Sequence, residues 1–150
     1  MPAGSVRGID DVTAILNLLH RYAELIDDGD FRGVGELLAD AEVSGPGMRP
    51  LRGAEAVAAL YEATTRRHAD GTPRTAHVIT NPIVELDGDR ATVRSRFLVV
   101  QATEAVPLQA IVAGRYLDEF ERVDGRWRFA SRHMDPRLLG RLDDHLHIEL

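Results

Sequence analysis

Tyr22, Asp27 and His77 are the residues of this chain whose types and spacing could bind and move protons. A neutral imidazole can take a proton from a carbon next to a carbonyl. A carboxylate bonded to its second nitrogen fixes the tautomer and stabilises the imidazolium that forms. Asp27 is the candidate orienter of His77, and the Tyr22 phenol could donate to a carbonyl or leaving-group oxygen, offsetting the negative charge that develops there in a dry pocket. That chemistry requires no electron carrier and no metal, so no cofactor is expected. It suits elimination of water, double-bond migration or aldol-type cyclisation of a small apolar ketone. Each residue has a plainer reading too: a core tyrosine, a loop carboxylate in Asp27-Asp28-Gly29-Asp30, a satisfied core histidine.

The elements that must position these residues follow from periodicity. Asp10 or Asp11 can cap a helix whose apolar positions Val12, Ile15, Leu16, Leu19, Tyr22, Ala23 and Ile26 share one face, and which stops at Asp28-Gly29. Asp30 offers a second cap for a short helix through Phe31, Val34, Leu37 and Leu38, weakened by Gly33 and Gly35. Ala41 to Ser44 fits a short strand, Gly45 to Pro50 a loop, and Gly53 the opening of a third helix that ends near His68 or Asp70-Gly71. Arg66, Arg67 and His68 fit a solvated helix end that favours cations.

From Arg74 the character changes to strands. Thr75 to Leu86 is β-branched, Asp87-Gly88-Asp89 is a hairpin signal, and Ala91 to Ala102 returns. Leu108 to Val123 then turns at Asp124-Gly125 into Arg126 to His133. Pro82 argues for a bulge, since it cannot donate to the ladder. Helices first and antiparallel strands after make an α+β domain, helices packed on one face of a bent sheet. The mouth of such a cone is a natural site for a small apolar molecule.

At 150 residues with 44% hydrophobic content, the chain suits one domain with a substantial core. The expected division is a flexible N-terminus at 1–8, a domain at 9–137 and a solvated C-terminal tail at 138–150. A net charge of −6 argues against nucleic acid as a partner. Zero cysteines exclude disulfides, thiolate metal sites and a cysteine nucleophile. Met1 to Gly8 does not read as a secretory signal, and no apolar run approaches a membrane span, so a cytoplasmic location is expected. His145-Leu146-His147 lacks a third ligand at any standard metal spacing.

Three further residues are candidates for holding a substrate: Gln101, Arg132 and His133. For the last two the alternatives stay open. With Trp127 and Phe129 inward, period two favours His133, whereas a bulge favours Arg132. The outer sheet face carries apolar positions that the helices cannot all cover, which predicts a homodimer packed sheet to sheet.

The runs from Leu18 to Phe31 and Gly53 to Val57, His77, Asp87-Gly88-Asp89-Arg90-Ala91 and Asp124-Gly125-Arg126-Trp127-Arg128-Phe129 resemble the SnoaL-like branch of the nuclear transport factor 2-like superfamily. The resemblance spans nearly the whole chain. It implies a cone-shaped α+β fold, a pocket between helices and sheet, and frequently a dimer. The superfamily contains polyketide cyclases, isomerases, epoxide hydrolases, dehydratases, dioxygenase β subunits and plain binding modules, so fold alone does not fix function. Tyr22, Asp27 and His77 match the pattern of scytalone dehydratase and the bile acid 7α-dehydratases. Those enzymes carry a further His or Asp on the next strand, where this chain offers Gln101. The expectation is therefore a lyase, isomerase or cyclase acting on a hydrophobic cyclic or polyketide-like compound, with dehydration favoured. The alternative is a non-catalytic binding or assembly module, a dioxygenase β-subunit-like role included.

Overall fold

The computed structural model describes residues 9–150, so the segment 1–8 expected to be flexible lies outside the described residues. Helix α1, Asp11–Asp27, starts where the Asp10 carboxylate accepts the Thr13 N–H. It buries Ile15, Leu19, Tyr22, Leu25 and Ile26 along one face. Its end is a left-handed glycine cap: Asp30 N–H bonds Leu25 O, and Gly29 has φ +73°. Asp30 caps α2, Phe31–Leu37, through the Gly33 N–H. Gly35 does not merely weaken α2, since a Cβ there would lie 2.3 Å from the Ala54 carbonyl oxygen. Its bareness lets α2 approach α3, Ala54–Thr64.

Five strands follow or interleave: β1 Glu42–Ser44, β2 Thr75–Asp87, β3 Arg90–Gln101, β4 Gln109–Val123 and β5 Arg126–Leu139. The sheet order is β1-β5-β4-β3-β2, antiparallel except for the parallel β1–β5 pair. It is the expected α+β cone, with the core between the three helices and the inner sheet face. The inward set alternates along β3 as Ala91, Val93, Ser95, Phe97, Val99 and Gln101. Register shifts in β2 between Thr80 and Ile83, around Pro82, as expected of a residue without an N–H.

Two boundaries differ from expectation. Helix α3 stops at Thr64 because the backbone beyond is used elsewhere: Arg66 N–H donates to His145 O, and His68 N–H to Thr72 O. Strand β5 runs six residues past His133, through Pro136. Its partner β1 covers only Ser131 to His133, so the rest of β5 is an edge, where proline is tolerated. Among the described residues no helix is long and apolar enough to cross a membrane.

Candidate active site

The end of α1 lies against the start of β2, and this brings Asp27 to His77. His77 Nδ1 is 2.6 Å from Asp27 Oδ1, and the His77 backbone N–H donates to Oδ2 at 2.8 Å. The Thr75 hydroxyl donates to Oδ1 at 2.8 Å. A carboxylate only accepts, so Nδ1 carries the proton and Nε2 is the free nitrogen of the ring. The His77 side chain is 7% exposed and that of Asp27 22%. Asp27 is therefore no loop carboxylate in water; it accepts from the ring and the backbone N–H of His77 and is itself held by Thr75.

Tyr22 stands edge-on to His77 with ring centroids 6.3 Å apart. It is buried, and its hydroxyl lies 2.6 Å from that of Tyr61. All three tyrosines of the chain meet here, Tyr116 being 6.0 Å from Tyr22 between centroids. Burial raises the pKa of Tyr22 and, more strongly, of Tyr61 and Tyr116, so these phenols hold their protons.

A bulge ahead of Arg132 and His133 decides which of them faces inward. Glu119 pairs with Ser131 but Phe120 with Phe129, leaving Ala130 as the extra residue. The slip turns Arg132 inward. Its guanidinium, fully buried, donates from Nε and Nη2 to both oxygens of Asp118 at 2.8 and 3.0 Å. It also lies 3.8 Å over the Tyr116 ring and 4.3 Å over that of Tyr22. Nη1 is buried with no partner among the described residues. Burial pushes the Asp118 carboxyl upward, and Arg132 pulls it back. Burial equally opposes charge on Arg132, but Asp118 overcomes this and the net direction is upward. Because a guanidinium does not give up its proton, the pair is ionic.

Several expectations are corrected. His133 faces outward, exposed, with Nδ1 2.9 Å from the Ser44 hydroxyl, so it is no interior substrate contact. Gln101 faces inward, but its amide donates to Pro73 O and Asp144 O at 3.0 and 3.1 Å and acts as a tie. Arg66, Arg67 and His68 are not a solvated helix end. Arg67 clamps Gly29 O and Glu62 and lies 4.0 Å over the Phe31 ring. Arg66 Nε donates to Leu146 O, and His68 Nε2 meets Asp144 O. The tail, too, is not solvated along its length: His145 is 7% exposed, its ring centroid 6.4 Å from that of His77. Burial, reinforced by His77, lowers its pKa to about 4.

Two cavities lie away from the dyad. A cavity of about 430 Å³ lies at Arg94, Arg96, Arg115, Leu117 and His133, and one of about 290 Å³ at Thr72, Arg74 and Leu108. Neither is lined by Tyr22, Asp27 or His77, and the chemistry of the dyad outweighs the size of either as the mark of the site. Sequence reasoning missed Asp118, Tyr61 and His145. Asp118 shares the phase of Tyr116 and Phe120 along β4, a signal that was available.

A family model described as a SnoaL-like domain matches residues 7–133. No curated protein sequence matches the chain. A nuclear transport factor 2-like protein with a cystatin-like fold from Novosphingobium aromaticivorans is similar in structure: 25% identity, 84% of this chain and 81% of that chain covered, TM-score 0.70. A protein of unknown function from Mycobacterium tuberculosis is 28% identical over 91% of this chain and 79% of its own, with TM-score 0.70. A Novosphingobium aromaticivorans protein provisionally named a scytalone dehydratase is 24% identical over 87% of this chain and 86% of its own, with TM-score 0.69. At that identity the last match carries the fold alone.

Proposed function

We propose, for a chain that belongs to the SnoaL-like domain family, a lyase, isomerase or cyclase activity, dehydration favoured, that works by general acid-base chemistry without a cofactor on a small hydrophobic cyclic or polyketide-like compound. The observation that carries this reading is the hold of Asp27 on both the ring Nδ1 and the backbone N–H of His77. It fixes the tautomer and leaves Nε2 as the base. Proton removal from carbon at Nε2 makes an imidazolium beside a carboxylate that stabilises it. Tyr22, protonated in its buried setting, is the donor to the oxygen that gains charge.

The test is a panel of cyclic ketones, hydroxy-enones and polyketide-like phenols followed by absorbance across pH. His77 acts as a base only when neutral, so the rate should show an acidic limb, and that limb should be absent in His77→Asn. Tight binding without turnover of any panel member, in either protein, would favour the second reading, a non-catalytic binding module. What favours that reading is Gln101, whose amide is spent on Pro73 and Asp144 where the dehydratase pattern has a titratable group.

The protein is also proposed to be a homodimer, sheet to sheet. Val78, Ile83, Leu86, Leu98 and Leu117 are exposed large hydrophobics of β2, β3 and β4. Light scattering should return twice the 16.6 kDa chain mass. Leu117→Arg should yield the monomer, and a wild-type protein that is monomeric at micromolar concentration would remove the proposal.

A further inference from the structure

The segment after β5 makes contacts that a solvated tail would not. Leu142 packs against the core. His145 O accepts from Arg66 N–H, and His147 N–H donates to Thr64 O, both at 2.8 Å. Asp144 O is held by His68 Nε2 at 2.8 Å and by Gln101 Nε2 at 3.1 Å, and its carboxylate by the Thr103 hydroxyl at 3.0 Å. Between these ties the His145 ring enters the protein beside His77, and its Nδ1 is buried with no partner among the described residues. A buried ring nitrogen left without a partner is costly and calls for a reason.

We propose that residues 142–147 are the removable cover of the Asp27–His77 site and that His145 is its latch, a positioning residue that seats beside His77 as a neutral ring and leaves when protonated. Two observations support a cover rather than permanent packing. The His77 side chain is only 7% exposed and the His145 ring lies 6.4 Å from its own, so undocking the segment widens access to His77. The segment is short, contains no helix or extended strand beyond a single bridge from Leu146 to Thr65, and is tied to Thr64, Arg66 and His68 on one side and to Gln101 and Thr103 on the other. Gln101 thus gains a role that substrate binding does not give it: it holds the cover.

The groups around His145 set its pH response. His77 from β2, His68 beyond α3 and burial disfavour its charge, and Asp27 from α1 favours it. Asp144 is its neighbour in the cover. The seated ring has a pKa lowered to about 4, against about 6.5 for a free imidazole. Because the seated form is the one that resists protonation, docking is complete above pH ~6.5 and weakens as the pH falls from there toward ~4. Opening should rise about tenfold per pH unit across that window, some two orders of magnitude in all. The catalytic relevance of the cover rests on the acid-base reading above, but its movement does not, so the test is made without turnover.

The experiment is native-state hydrogen exchange on the full chain, reading the amides of Arg66 and His147 against those of β4, each corrected for intrinsic exchange rate. The expected result is local opening, with Arg66 and His147 losing protection steeply between pH 6.5 and 4 while β4 holds. In His145→Phe the slope should vanish and protection persist at low pH; His145→Gln serves in the same role if the phenylalanine does not pack. In wild type the ring nitrogen shifts of His145 should titrate well below 6.5. Exchange of the two amides in step with β4, a slope that survives in both variants, or an ordinary titration of His145 would each overturn the proposal. Loss of activity in the panel with the exchange result intact would sink the enzyme reading and leave the cover standing.

Discussion

Alanine in place of His77 should lower turnover by about two orders of magnitude or more and leave the fold intact, the size of effect that follows removal of a general base. Asp27→Asn should cost as much for a different reason. The asparagine can still accept the His77 N–H, so the start of β2 stays in place. But an amide can turn its NH₂ toward the ring, favouring the tautomer with the proton on Nε2, where the base is needed. The two variants should therefore share a fall in kcat with little change in melting temperature, measured on whichever panel compound the wild type turns over. Unchanged turnover in both would reduce the pair to structural polar residues.

Asp118→Ala should destabilise the domain by about 3–5 kcal/mol, because it strands the Arg132 guanidinium in a fully buried site. The cost arises from the charge left behind rather than from the strength of the pair. Removing both charges with shape-conserving residues, Asp118→Leu with Arg132→Met, should recover most of it, since buried pairs replaced by apolar groups are often neutral. Urea unfolding of the two single variants and the double variant reads this directly. A loss under about 1 kcal/mol in Asp118→Ala would mean that water reaches Arg132 and that the pair is not sealed.

The dyad was legible because two separate periodicities pointed to it. The apolar face of α1 brings its end to the sheet, and the β-branched run beginning at Thr75 identifies the strand that receives it. Arg132 and His133 could not be told apart, because one extra residue decides between them and Ala130 carries no signal of being that residue. Asp118 was legible in principle from its phase with Tyr116 and Phe120. A lone carboxylate on an alternating strand ordinarily faces water, and only the distant Arg132 makes an inward one tolerable. His145 was hidden for a related reason: a short polar segment has no periodicity, and its position comes from backbone ties to Thr64, Arg66 and Gln101 that side-chain patterns do not encode. The fold was easier to read than the site because it repeats its signal over many residues, whereas each site residue is a single event.

The parallel pairing of β1 with β5 has a consequence for the order in which this protein can be made. Glu42 meets Ser131, and Ser44 meets His133, residues that leave the ribosome long after their partners. Until they arrive, β1 has no neighbour in the sheet and α1 has only α2 and β2 to pack on. Contacts of such separation make folding slow and late. Asp27 and His77 can meet once the first half of the chain is made, whereas Arg132 and His145 join them last.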